Sequence, residues 1–127
     1  MRAFDMLMGD QDYSDWIRSI KGISGISAGA LFGLLFALRL DVRQIETVKR
    51  SCDLRQVVSF THIDQCHTKL GFSDMNEFRR YVHVILEEGG LSKNATMNDL
   101  NRFTRLCCVF RASNISTGRV EDISHTT

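Results

Sequence analysis

The sequence predicts an α/β layered domain, and three observations carry that expectation. A short strand-like stretch, Ile17 to Ile26, runs directly into an apolar helical stretch, Ala28 to Leu40. A second run, Leu106-Cys107-Cys108-Val109-Phe110, is apolar throughout and bounded by Arg105 and Arg111. It reads as a strand buried on both faces, the kind found inside parallel sheets. Between these two lie segments whose apolar residues recur at helical spacing. Helices alternating with buried strands give layered α/β architectures.

In chain order, Ala3 to Met8 reads as the tail of a helix stopped by Gly9, and residues 10–16 read as an acidic linker carrying Tyr13 and Trp16. The strand over Ile17 to Ile26 is punctuated by Gly22 and Gly25. In the helix that follows, Leu31, Leu34, Leu35 and Leu38 share one face while Phe32 and Phe36 cover another. A helix apolar all round is deeply buried or lies in lipid. Asp41 is placed to cap a second, amphipathic helix from Val42 to Arg50, with Val42, Ile45 and Val48 inward. Residues 51–72 leave the choice open: Leu54 to Phe60 fits a strand or a helical turn, and Leu70-Gly71-Phe72 a turn. Ser73 can cap the next helix, with Glu77 near the capping-box position. Met75, Phe78, Val82, Ile85 and Leu86 keep helical spacing there, and Gly89-Gly90 ends the helix. Thr96 then caps a short helix through Leu100 and Phe103, and Asn114 to Arg119 reads as a turn-rich loop after the second strand.

At 127 residues the chain is one domain at most. A hydrophobic fraction of 43% is enough for a buried core. A net charge of +1 without a basic block points to neither nucleic acid nor an anionic membrane. The absence of proline suits a helix-rich fold. Four cysteines are too few for a disulfide scaffold, so a reducing, cytoplasmic setting is expected. Asp5, Asp10, Asp12 and Asp15 stand where a signal peptide would need basic and then apolar residues. The triplets Asn94-Ala95-Thr96 and Asn114-Ile115-Ser116 match the glycosylation pattern, a match that often arises by chance. Cys52, His62, Cys66 and His67 form a loose cluster, but their spacing matches no common zinc site, and no metal is expected.

Gly25-Ile26-Ser27-Ala28-Gly29 is a G-x-S-x-G motif at a strand-to-helix junction. A serine hydroxyl becomes a nucleophile only with a base to take its proton and donors for the developing oxyanion. Gly25 and Gly29 would let strand and helix approach closely around a strained serine, and the helix N-terminus would offer free N–H groups, Ala28's among them. The plain alternative is a small residue at a tight turn. A second alternative takes the uncharged 17 residues from Gly22 to Leu38 as a short membrane span, with Gly25, Gly29 and Gly33 in small-xxx-small register. Gly22 and Gly25 would break the start of such a span. A Ser-His-Asp triad of the α/β-hydrolase type fits poorly, because Ser27 comes before the several strands that fold needs, and His62, His67, His83 and His125 include no distinguished base.

The segment from Lys21 to Leu31, K-G-I-S-G-I-S-A-G-A-L, resembles the nucleophile elbow of the patatin-like phospholipases, a G-x-S-A-G-A sequence followed by a leucine-rich helix. Ala3 to Trp16 resembles the helix and connection before that elbow, and Asp41 to Ile45 the opening of the family's next helix. Leu100 to Arg119, with Ala112-Ser113-Asn114-Ile115-Ser116-Thr117-Gly118, is similar to its later strand and turn. The resemblance spans most of the chain, with residues 51–72 matching loosely. It implies a three-layer α/β fold with a mainly parallel central sheet, of which residues 1–127 would form a part incomplete at both ends. It implies a serine acyl hydrolase that cleaves fatty-acyl esters of glycerolipids or phospholipids, with Ser27 as nucleophile in a Ser-Asp dyad and no metal or other cofactor. Contact with a membrane surface would be transient and peripheral. The family's aspartate lies in a D-G-[GA] motif, but the chain contains no Asp-Gly pair, and Asp122 in Val120-Glu121-Asp122-Ile123 reads as surface. The family's glycine-rich oxyanion loop would precede residues 3–8. These departures make a catalytically inactive binding or regulatory fragment the alternative function.

Overall fold

Two strands side by side in parallel set the frame. The computed structural model describes residues 12–52 and 75–127. Strand β1 (Gly22–Ile26) pairs in parallel with β2 (Cys107–Asn114), from Gly22 opposite Cys107 to Ile26 opposite Arg111. Strand β3 (Arg119–Ile123) pairs antiparallel with the far half of β2, Asn114 opposite Arg119 and Phe110 opposite Ile123. The sheet is therefore mixed, in the order β1-β2-β3. Parallel neighbours require a long crossover. Among the described residues, four helices lie between β1 and β2: α2 (Ala28–Ala37), α3 (Val42–Ser51), α4 (Asn76–Glu88) and α5 (Met97–Thr104). A further helix over residues 12–19, α1, precedes β1.

Local chemistry explains several of the helix ends. Asp41 and Gln44 form a reciprocal capping box at α3: the Gln44 N–H donates to Asp41 Oδ1 at 2.8 Å and the Asp41 N–H to Gln44 Oε1 at 2.9 Å. Thr96 and Asp99 do the same at α5. Helix α4 closes on Gly90 at φ 87°, with the Gly90 N–H donating to Glu87 O and the Leu91 N–H to Leu86 O. Helix α2 ends in the same way with Arg39, at φ 54°, in the glycine position: the Arg39 and Leu40 N–H groups donate to Phe36 O and Leu35 O. That reversal ends α2 at Ala37, three residues before the predicted Leu40.

The core lies where α2 to α5 meet the sheet. Leu34, Leu35, Leu38, Leu40, Val48, Tyr81, Ile85, Leu86, Leu100, Leu106 and Cys108 pack as one cluster, with Ile85 fully buried. Helix α2 lies close on the sheet at Gly33, where a Cβ would stand 2.9 Å from Ile23 Cγ2 and 3.3 Å from Phe110 Cε1. The start of β2 is tied to α5: Thr104 Oγ1 donates to Leu100 O at 2.7 Å and accepts from the Leu106 N–H at 3.2 Å.

Several expectations are corrected. Residues 12–16 are helical, not a linker: Trp16 meets Phe36 edge-on at 5.6 Å, and the Tyr13 hydroxyl donates to Leu40 O at 3.2 Å. Strand β1 accordingly begins at Gly22, not at Ile17. The run from Leu106 to Phe110 is not buried on both faces, because Cys107 is exposed while Cys108 is buried. Asn114 and Arg119 belong to strands, and residues 115–118 make the turn between them. Helix α4 has Met75, not Ser73, at its N-cap, without a side-chain capping bond. Ser73, the expected helix over residues 3–8 and the open stretch over 53–72 lie outside the described residues.

Candidate functional site

One residue makes the turn from β1 into α2. Ile26 ends the strand and Ala28 begins the helix, which leaves Ser27 to reverse the chain at φ 55° and ψ −130°. A side chain rarely occupies that region, and such residues persist only where surrounding structure holds them, at a cost of order 1–3 kcal/mol. The Ala30 N–H donates to Ser27 O at 3.0 Å and closes the first turn. The Ser27 hydroxyl makes no capping bond, and the residue is exposed. The first N–H groups of α2, beginning with Ala28, sit at the positive end of the helix and have no partners within it.

The two motif glycines have different tasks. A Cβ on Gly25 would stand 2.6 Å from Gly29 O, 2.7 Å from Gly29 C and 2.8 Å from Ala30 N, all backbone atoms. Only glycine lets strand and helix approach this closely. A Cβ on Gly29 would meet nothing within 4 Å. The expectation that both glycines are needed for close approach therefore holds for Gly25 and is corrected for Gly29.

Ser27 lines a cavity of about 990 Å³. Its walls are mainly apolar: Leu31 and Leu34 of α2, Phe78, Val82 and Leu86 of α4, Met97 and Leu100 of α5, and Phe110 and Ile123 of the sheet. Polar groups come from Ser27, Thr96, Arg111 and Ser113. Among the described residues that line it there is no aspartate, glutamate or histidine. His83 lies on α4 and His125 near the C-terminus, outside this lining, and His62 and His67 lie outside the described residues.

Arg111 is the charged residue that sequence reasoning missed. It stands opposite Ile26 in β1 and Asp122 in β3, in one row across the sheet. Its Nε donates to Asp122 Oδ1 at 2.7 Å and its Nη2 to Oδ2 at 3.2 Å. That bond holds the Asp122 carboxyl below the ordinary carboxylate range and raises the guanidinium. Asp122 is at the surface, as expected, but it is committed to Arg111. Asp99 is likewise held low by the Thr96 backbone N–H and then by the Thr96 hydroxyl. A carboxylate so stabilised is a weaker base. The available signal for Arg111 was its position at the end of the apolar β2 run.

Cys52 is buried at the end of α3, and burial raises its thiol, outweighing the nearby Arg80 cation. Cys66, His62 and His67 lie outside the described residues, and among those described no cluster of three or more metal-ligating side chains occurs. The run from Gly22 to Leu38 is divided between a strand and a ten-residue helix, and no helix among the described residues is long and apolar enough to cross a membrane. Compared with protein-family models, with curated proteins and with solved structures, the chain matches none.

Proposed function

We propose that Ser27 is the nucleophile of a patatin-like serine acyl hydrolase acting on fatty-acyl esters of glycerolipids or phospholipids. The observation that carries the reading is the backbone of Ser27, a positive-φ turn between strand and helix that leaves its hydroxyl uncapped beside an apolar cavity. Strain at a strand-to-helix serine is the mark of a nucleophile elbow. In this reading Ser27 Oγ attacks the ester carbonyl carbon. The oxyanion forms at the positive end of α2, within reach of the Ala28 N–H. The alcohol leaves, and water releases the fatty acid from the acyl-enzyme. The cavity's leucine, phenylalanine and methionine side chains suit a hydrocarbon chain. The family's three-layer fold, with a mainly parallel central sheet, and its peripheral membrane contact belong to the same proposal.

A second reading, a lipid-binding module without turnover, is favoured by one specific feature. The cavity lining among the described residues offers no base, and the chain has no Asp-Gly pair. A fluorophosphonate probe separates the two. Labelling that disappears in Ser27→Ala supports a competent nucleophile, and a folded wild type that does not label sinks it. Hydrolysis of a fluorogenic short-chain ester then tells turnover from reactivity alone.

A further inference from the structure

Burial deepens in the same sense along three helices, and that gives the cavity beside Ser27 a mouth and a floor. At the start of α2, Ser27 and Ala28 are exposed; further along, Leu31 is half-buried and Leu34 buried. On α4 the stripe Phe78, Val82, Leu86 passes from half-buried to buried. On α5, exposed Thr96 leads through half-buried Met97 to buried Leu100. All of these residues line the cavity, and Leu34, Leu86 and Leu100 belong to one core cluster. Among the described residues, the cavity therefore opens at Ser27 and is closed by three leucines.

Two helices measure its depth. Leu34 stands two turns beyond Ser27, about 10 Å along the axis at a rise of about 1.5 Å per residue. Phe78 and Leu86 mark about 12 Å on α4 by the same rise. An extended chain advances roughly 1.2 Å per bond, so either length accepts about eight to ten carbons. We propose that the cavity is a blind pocket that measures acyl chains from Ser27 and holds those of about eight to ten carbons, so that medium-chain esters are the preferred substrates. The ester end of this proposal rests on the acyl hydrolase reading, but the length rule stands on burial along the helices and is measured without turnover. Arg111, the charged residue of the described lining, is already paired with Asp122, so an uncharged probe reads the chain alone.

The test is calorimetric titration of the full chain with straight-chain alcohols from butanol to dodecanol. Affinity should rise about fourfold with each added carbon and level off near nonanol, because further carbons meet the floor and stay in water at the mouth. Leu100→Ala removes part of the floor and should move the plateau by about two carbons toward longer chains. Val82→Phe fills the middle of the wall at a half-buried position and should move it toward shorter ones, which keeps the length rule testable if Leu100→Ala does not fold. The proposal is overturned by affinity that climbs through dodecanol, by affinity independent of length, by no binding at all, or by a plateau that a folded variant leaves in place. Fluorophosphonate labelling reads Ser27 separately. A plateau without labelling upholds the pocket and removes the nucleophile, and labelling without a plateau does the reverse.

Discussion

Gly25 and Gly29 frame Ser27 symmetrically in sequence but not in space, and alanine at each position separates the two cases. At Gly25 the new Cβ would stand 2.6–2.8 Å from Gly29 O, Gly29 C and Ala30 N. Real Cβ contacts are essentially never this short, and the obstacles are backbone atoms of the first turn of α2, which no rotamer change can move. Overpacking of a well-packed site costs typically 1–3 kcal/mol, and a backbone obstacle belongs at the upper end of that range. At Gly29 the Cβ enters open space on the second residue of a helix. There alanine gains roughly 0.5–1 kcal/mol over glycine. Two identical substitutions four positions apart should thus differ by about 3 kcal/mol, roughly 10 °C in Tm for a domain of this size. Thermal unfolding followed by circular dichroism measures the difference, and fluorophosphonate labelling shows whether the displaced α2 in Gly25→Ala takes Ser27 with it. Equal melting temperatures for the two variants would refute the close-approach argument. So would a Gly29→Ala variant that is the less stable of the two.

Ser27→Gly should raise stability by about 1 kcal/mol in urea unfolding, since relief of the positive-φ strain exceeds glycine's entropic cost, while removing any reactivity with the probe; a destabilised variant would argue against stored strain. Ile85→Ala should cost about 2–5 kcal/mol, because the side chain is fully buried at the centre of the cluster, and a loss below 1 kcal/mol, roughly, would place the core elsewhere. Asp122 and Asp99 both have carboxyls held below their ordinary values by hydrogen bonds. Their contribution is fully present above the ordinary carboxylate pKa and is lost as pH falls through the lower, folded value. Tm should therefore drop on acidification through that window, and Asp122→Asn should flatten part of the slope; an unchanged acid profile would mean that the Arg111 pair contributes nothing.

How much of this was legible in the sequence depended on whether the deciding interaction was local. Asp41 and Thr96 announce their helices because a capping box is complete within four residues. The junction at Ser27 was readable for the same reason. Helix α1 was not, because its inward residues Tyr13 and Ile17 sit among aspartates and it is fixed by Phe36 and Leu40, some twenty residues away. Strand β3 gave no alternation to read, since each of its residues is exposed and pairing with β2 alone defines it. The apolar run of β2 misled about burial, because cysteine suits either side of a half-covered sheet and Cys107 and Cys108 fall on opposite faces. At the site, Ser27 and Gly25 were visible as a motif. Arg111 was not, because its neighbours Ile26 and Asp122 are brought to it only by the register of three strands.

The strain at Ser27 follows from how closely α2 lies on the sheet. Gly25 admits the first turn of the helix against β1, and Gly33, two turns later, admits its middle against Ile23 and Phe110. With the helix held at both points, the single residue that links it to the strand has no freedom to adopt an ordinary turn. The core that buries Leu34, Leu35 and Leu38 therefore also sets the backbone of an exposed serine. Substitutions deep in that core should reach Ser27 through α2, although none of those residues touches the serine's hydroxyl in a capping bond.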